Sequence, residues 1–179
     1  MPESGLLRIL LSLVLVYTGV AAWAWFYSDR MIFLPPSPGY RDTPEVLKVP
    51  TKDGEHIVAI YLANPNSTYT LLLSHGNAED LGSVLPLLPG LANLGFSVFA
   101  YDYRGYGLSE GSPSERHVYA DIDAAYDYLT GKLAVAPDTI VAYGRSLGAG
   151  ASVDLAARRP VGGVILESPF LTAFRVMTK

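Results

Sequence analysis

The residue best placed to do chemistry in this sequence is Ser146, in the pentapeptide Gly-Arg-Ser-Leu-Gly at residues 144–148. A serine hydroxyl can attack an acyl carbonyl and form an acyl-enzyme. In a Gly-x-Ser-x-Gly elbow the serine occupies a strained turn, and side chains at Gly144 and Gly148 would collide with the neighbouring strand and helix. The pentapeptide therefore predicts acyl transfer through a serine nucleophile.

An elbow needs a strand before the serine and a helix after it. The β-branched and aromatic run at residues 139–143 predicts the strand, and the small-residue run at 147–158 predicts the helix. Further short apolar runs, typical of strands buried in a parallel sheet, lie at residues 70–74, 96–101 and 163–167.

Residues 45–50 and 55–63 predict a β-hairpin, because an Asp-Gly turn at 53–54 joins them. Helices are predicted over residues 82–94, where two prolines would confine or kink the helix, and from Glu115 to about Gly131. A hairpin followed by alternating strands and helices predicts an α/β fold. Its sheet is expected to be mostly parallel with an antiparallel N-terminal hairpin and to have helices on both faces.

The polar residues of interest all follow predicted strands. They are His75, Gly76 and Asn77, then Asp102, Ser146 and Glu167. Ligands of open α/β sheets bind beyond the carboxyl ends of the strands. We therefore expect an active site at this edge of the sheet.

Residues 9–28 form an uncharged apolar stretch that is long enough to span a membrane as a helix, with aromatic residues at its C-terminal end. We expect residues 1–30 to be a single-pass N-terminal anchor, 31–44 a proline-rich linker, and 45–179 the catalytic domain. We place that domain on the non-cytoplasmic side. The alternative is a cleaved signal peptide with an Ala-Trp-Ala site at 22–24.

Composition excludes several classes of function. A net charge of −4 provides no basic surface for nucleic acid. The absence of cysteine excludes disulfides, thiolate metal sites and S-acylation of this chain. The three histidines lack the spacing of metal ligands, and no glycine-rich phosphate loop is present. We expect no metal and no cofactor.

Three ordered motifs carry a resemblance to a known family. His-Gly-Asn-Ala at residues 75–78, Tyr-Asp-Tyr-Arg-Gly-Tyr-Gly-Leu-Ser-Glu-Gly at 101–111 and the pentapeptide at 144–148 resemble the α/β-hydrolase superfamily. The branch most similar is that of the membrane-anchored α/β-hydrolase domain-containing serine hydrolases, which includes depalmitoylating thioesterases. The resemblance covers roughly residues 30–179 and implies an α/β-hydrolase fold that is truncated after the sixth strand.

The elbow pattern assigns the nucleophile to Ser146 and one oxyanion-hole donor to the backbone N–H of Leu147. The resemblance implies that the second donor is the backbone N–H of Asn77. Gly76 would let the backbone approach the substrate, and His75 would orient this loop rather than act as the base. Asp102 is expected to support the neighbouring loop at residues 104–107.

No histidine follows Ser146, although the triad of this superfamily runs serine, acid, histidine along the chain. Glu167 is a candidate acid at the end of the last predicted strand. We expect the base, and with it the usual acid, beyond residue 179. The 179-residue chain by itself is therefore expected to be inactive.

The resulting hypothesis is a carboxylesterase or thioesterase that acts on a small-molecule or lipid-like acyl substrate, or on an acylated protein, near a membrane. A serine peptidase of the same fold is the alternative enzyme. The non-enzymatic alternative is a catalytically incompetent, membrane-tethered binding module.

Overall fold

A computed structural model describes residues 3–170, with side chains from Gly5 onward. The last nine residues of the predicted domain lie outside this range. The chain divides into two compact units, one ending at Phe33 and one beginning at Leu34. The first contains one helix, α1 (Glu3–Ile32), which is apolar and long enough to cross a membrane.

The second unit is built on a sheet that has six strands in the described residues. The strands are β1 (Val46–Pro50), β2 (His56–Leu62), β3 (Thr70–Ser74), β4 (Ser97–Tyr101), β5 (Ile140–Arg145) and β6 (Gly163–Glu167). Their spatial order is β1-β2-β4-β3-β5-β6. β1, β2 and β4 pair antiparallel, whereas β4, β3, β5 and β6 run parallel to one another. This confirms the predicted mixed, mostly parallel sheet with its N-terminal hairpin.

The central strands β3 and β4 are buried along their whole length. Side chains alternate between the two faces of a strand. Leu71 and Leu73 pack on one face with Leu81 and Leu88, which belong to two short helices. Phe99 packs on the opposite face, with its ring 6.0 Å from that of Tyr128. Helices therefore cover both faces, and the continuous apolar runs reflect burial on both sides.

The helices of this unit are α2 (Leu81–Val84), α3 (Leu88–Asn93), α4 (Glu115–Asp127) and α5 (Leu147–Arg158). The helix predicted over residues 82–94 is split by a 3₁₀ turn, Leu85–Leu87, because prolines lie in the first turn of each following piece. Ser114 caps α4 by accepting the N–H of His117. Beyond α4 the chain continues as a π turn, Tyr128–Lys132.

The segment predicted as a linker, residues 31–44, differs from that expectation. Its first two residues belong to α1. From Leu34 onward it belongs to the second unit and is hydrogen-bonded within it. The Leu34 N–H donates to Asn77 Oδ1 (3.0 Å) and the Gly39 N–H to Asp80 Oδ2 (2.6 Å). The segment is therefore part of the domain that carries the candidate site.

Candidate active site

Ser146 lies between β5 and α5 with backbone angles φ 50° and ψ −109°. A positive φ is unfavourable for a residue with a Cβ atom and costs on the order of 1–3 kcal/mol. Two backbone hydrogen bonds hold the turn. The Ser146 N–H donates to the Glu167 carbonyl (2.9 Å), and the Ser146 carbonyl accepts from the Ala149 N–H (3.0 Å). The serine thus occupies a strained strand-to-helix turn of the kind that an elbow requires.

Close backbone contacts explain the glycines on either side of this turn. A Cβ atom on Gly144 would lie 2.2 Å from the carbonyl oxygen of Gly148. A Cβ atom on Gly148 would lie 2.0 Å from the carbonyl oxygen of Ser74, at the end of β3. These distances are far below van der Waals contact, so β5, α5 and β3 can meet only where both residues lack side chains.

The two predicted oxyanion-hole residues lie on different segments of the chain. Leu147 is the first residue of α5, where backbone N–H groups have no acceptor within the helix. Asn77 lies in a tight turn in which the Glu79 N–H donates to the Gly76 carbonyl (3.3 Å). A Cβ atom on Gly76 would lie 3.7 Å from Cβ of Ser146. The turn that contains Asn77 therefore runs directly beside the serine.

The side chain of Asn77 fixes this turn to two other segments. Its Oδ1 accepts hydrogen bonds from the Tyr106 hydroxyl (2.6 Å) and from the Leu34 N–H (3.0 Å). Tyr106 is not among the site residues that the sequence motifs predict. The one available signal was the run of tyrosines at residues 101–106, and their partners could not be inferred from the run itself.

His75 is completely buried, and its ring contacts the carbonyl and carboxylate groups around it. Its Nδ1 lies 2.8 Å from the carbonyl oxygen of Gly76, so this nitrogen carries the proton and donates. Its Nε2 lies 3.2 Å from Oδ1 of Asp102, without an aligned hydrogen bond in the described part of the chain. The Tyr103 hydroxyl donates to the His75 carbonyl (2.8 Å). The histidine is thus packed beneath the turn that contains Asn77.

Asp102 is also completely buried and connects three segments. Its Oδ1 accepts the N–H of Leu81 at the start of α2 (2.7 Å), and its Oδ2 accepts the hydroxyl of Tyr40. Burial and the adjacent Asp102 raise the pKa of Tyr40, so its hydroxyl stays protonated. Gly107 has φ 51°, and a Cβ atom there would lie 1.8 Å from Oδ2 of Asp102. The carboxylate therefore supports the loop that follows β4.

Glu167, the candidate acid, has an exposed carboxylate. The Tyr143 hydroxyl donates to its Oε2 (2.6 Å), and Nε of Arg145 lies 3.1 Å from the same oxygen. The hydrogen bond from Tyr143, and then the one from Arg145, lower the pKa of Glu167. Both observed partners of this carboxylate lie on β5, and neither is a histidine.

The other two histidines contact the segment at residues 110–112. His56 contacts Glu110, and Nδ1 of His117 lies 2.7 Å from the Ser112 carbonyl oxygen. Among residues 3–170, no hydrogen bond joins the Ser146 hydroxyl to a histidine. The same residues contain no group of three His, Asp or Glu side chains that could hold a metal ion.

Known proteins share this architecture. A sequence model of the family described as "Serine aminopeptidase, S33" matches residues 65–177. The human alpha/beta hydrolase domain-containing protein 17B is 40% identical over 154 residues, which are 85% of this chain and 50% of the human protein. Protein 17C of Xenopus laevis is 41% identical over 154 residues, 85% of this chain and 47% of its own length. The chain thus spans about half the length of the curated relatives it matches.

Among solved structures, an esterase of Pyrococcus furiosus superposes with a TM-score of 0.66 at 21% identity, over 75% of this chain and 57% of the esterase. At that identity the likeness concerns the fold. The chain belongs to the α/β-hydrolase superfamily, in its branch of α/β-hydrolase domain-containing proteins. The resemblance seen in the three sequence motifs is thereby confirmed.

Proposed function

We propose that this chain carries the nucleophile of a serine hydrolase that cleaves an ester or thioester through an acyl-enzyme on Ser146. The observation that carries the proposal is the positive φ of Ser146 in a turn held by backbone hydrogen bonds. Strained non-glycine residues cluster at functional sites, where the surrounding structure offsets their cost.

In the proposed mechanism the Ser146 hydroxyl loses its proton to a base as its oxygen attacks the acyl carbonyl. The tetrahedral intermediate carries an oxyanion, which the backbone N–H groups of Leu147 and Asn77 stabilise. The intermediate expels the alcohol or thiol, which takes up the proton from the base. Water, giving its proton to the same base, then attacks the acyl-enzyme and releases the carboxylic acid, and the proton returns to Ser146. The base and the acid are proposed to lie C-terminal to the described residues, following the chain order of the superfamily. Glu167 is the weaker candidate for the acid, because Tyr143 and Arg145 already contact its carboxylate.

The substrate is proposed to be an acyl ester or thioester at a membrane surface, either a lipid-like molecule or an acylated protein. Helix α1 supports this choice, because it is long and apolar enough to hold the domain at a bilayer. A serine peptidase is the second candidate, and the description of the matching family as a serine aminopeptidase favours it.

The test compares the intact gene product, purified in detergent, with its Ser146→Ala variant. We expect a fluorophosphonate probe to label the first and not the second. Substrate panels of p-nitrophenyl esters, acyl thioesters and aminoacyl amides would separate the esterase from the peptidase. Ser152→Ala is the matched control, because this buried serine lies on α5 and should be dispensable.

Labelling that persists in Ser146→Ala would refute the assignment of the nucleophile. Absence of labelling and of turnover in the intact gene product would favour the binding-module alternative. Turnover of aminoacyl amides alone would favour the peptidase.

A further inference from the structure

The residue before the nucleophile, Arg145, forms a bridge between two carboxylates. Its Nη1 donates to Oε1 of Glu79 (3.0 Å), and its Nε lies 3.1 Å from Oε2 of Glu167. Arg145 and Glu79 are each about one quarter exposed, at 28% and 27% of the side-chain surface. Hydrogen bonds to Glu167 and Glu79 raise the pKa of Arg145 although burial acts to lower it, so the guanidinium stays charged.

The second carboxylate oxygen of Glu79 holds the turn at residues 76–79, which contains Asn77 and is called the proposed oxyanion loop below. Oε2 accepts the N–H of Gly76 at 2.7 Å. The point where a Cβ atom of Gly76 would stand is 2.9 Å from this oxygen and 3.7 Å from Cβ of Ser146. A carboxylate is thus built into the wall of the proposed oxyanion hole, close to where negative charge would develop.

We propose that Arg145 is a positioning residue that balances the charge of Glu79, so that this carboxylate can shape the oxyanion loop without opposing the oxyanion. The inference rests on the proposed function and deepens it. An unbalanced carboxylate would repel the transition state, in which the oxyanion is charged, more than it repels the neutral ester. The Arg145–Glu79 pair therefore acts on kcat rather than on KM.

Because the effect is one of charge, removal of Arg145 and removal of Glu79 should have unequal consequences. Arg145→Gln leaves the negative charge of Glu79 beside the site without its partner. At a partly buried position, repulsion between that charge and the oxyanion should lower kcat about tenfold. Glu79→Gln removes that charge, and its amide oxygen can still accept the Gly76 N–H. A purely structural bridge would instead be broken equally by either change.

The experiment measures kcat and KM of the intact gene product for an ester that it cleaves. We expect Arg145→Gln to lower kcat about tenfold with KM within about twofold, and Glu79→Gln to lower kcat by a smaller factor than Arg145→Gln does. The double variant should recover the rate of Glu79→Gln, and Arg145→Lys should retain most of the activity. Arg158→Gln is the control, because it removes a guanidinium of α5 that likewise pairs with two carboxylates, those of Asp123 and Asp154.

Equal losses in both single variants without recovery in the double variant would overturn the inference. A change of KM alone in Arg145→Gln, or an unchanged kcat in that variant, would also overturn the inference.

Ser146→Ala in the same assay separates the inference from the proposed function. If Ser146→Ala retains turnover, the proposed function is wrong. If Ser146→Ala is inactive and Arg145→Gln has wild-type kinetics, only the charge-balancing role of Arg145 is overturned. Melting temperatures of all variants show whether each has folded.

Discussion

The hydroxyl of Tyr106 donates a 2.6 Å hydrogen bond to Oδ1 of Asn77. Asn77 follows β3 and Tyr106 follows β4, and these two strands are neighbours in the sheet. The bond therefore joins the two loops at the carboxyl edge, close to the strained serine at the end of β5. Burial raises the pKa of Tyr106 to about 12, so the hydroxyl remains a donor throughout the neutral range.

Tyr106→Phe removes this bond and leaves the ring. Asn77 keeps its bond from the Leu34 N–H, so the turn should loosen rather than unfold. We expect a fall in kcat of about five- to tenfold, little change in KM, and about 1 kcal/mol less stability. Steady-state kinetics and thermal unfolding check this against Tyr119→Phe, which removes an exposed hydroxyl bonded to Glu115. Equal kinetics in both variants would show that the Tyr106 bond does not position Asn77.

Two glycines of α5, Gly148 and Gly150, differ in how much space a side chain would have. Gly148→Ala places a methyl group 2.0 Å from the Ser74 carbonyl oxygen, whereas Gly150→Ala meets nothing within 4 Å. We expect the first to cost more than about 2 kcal/mol or to prevent folding. The second should stabilise the helix by about 0.5–1 kcal/mol, because alanine loses less backbone entropy than glycine. Melting temperatures that shift in the same direction in both variants would contradict this account of the elbow.

The sheet could be predicted from sequence because its strands have strong local signals. Residues 70–74 and 163–167 match β3 and β6 at both ends, and residues 147–158 match α5. Buried parallel strands are continuously apolar, and Gly and Pro mark their limits. The helix boundaries within residues 81–94 are harder to predict from sequence, because the two prolines in this segment are compatible with several divisions into shorter helices.

The contacts that organise the candidate site have no such local signal. Tyr40 and Asp102 are 62 residues apart, and Arg145 and Glu79 are 66 apart. Their pairing depends on which strands become neighbours and on where each loop ends, neither of which follows from periodicity. Motifs predicted the region of Ser146, Asn77 and His75. The residues that hold them in place, Tyr106 and Glu79, became recognisable only from the folded chain.

Helix α1 should anchor the protein in a bilayer. It has 30 residues and would be about 45 Å long, against a hydrocarbon core of about 30 Å. Leu15→Arg puts a charge near the middle of the helix, where insertion costs about 2.5–3.5 kcal/mol. We expect this variant to be extracted by alkaline carbonate while wild type stays in the membrane. Met31→Arg should behave as wild type, because a long side chain near the end can reach the interface.

The signal-peptide alternative is checked on the same samples by intact mass. A mature chain that begins just after the Ala-Trp-Ala sequence at residues 22–24 would contradict anchoring by α1. A chain that retains residues 9–28 and resists carbonate would support it.

Asp121 of α4 forms a buried ion pair with Arg104, which lies in the loop after β4. Asp121 accepts hydrogen bonds from the backbone N–H and from Nε of Arg104 (2.8 and 2.7 Å), and both side chains are completely buried. Burial raises the pKa of Asp121 from 3.8 to about 6, although the hydrogen bonds from Arg104 act to lower it. Between these values the folded chain binds more protons at this site than the unfolded chain, so its contribution to stability falls as pH rises.

The contribution from Asp121 is therefore fully present below about pH 4 and is lost as the pH rises through about 6. Asp121→Asn cannot titrate. The melting temperature of wild type should fall relative to that of Asp121→Asn between pH 4 and pH 6, and the difference should be constant above pH 7. Subtracting one curve from the other cancels the carboxylates that titrate in both proteins. A difference that is flat across this range, or that rises with pH, would mean that Arg104 keeps Asp121 ionised and outweighs its burial.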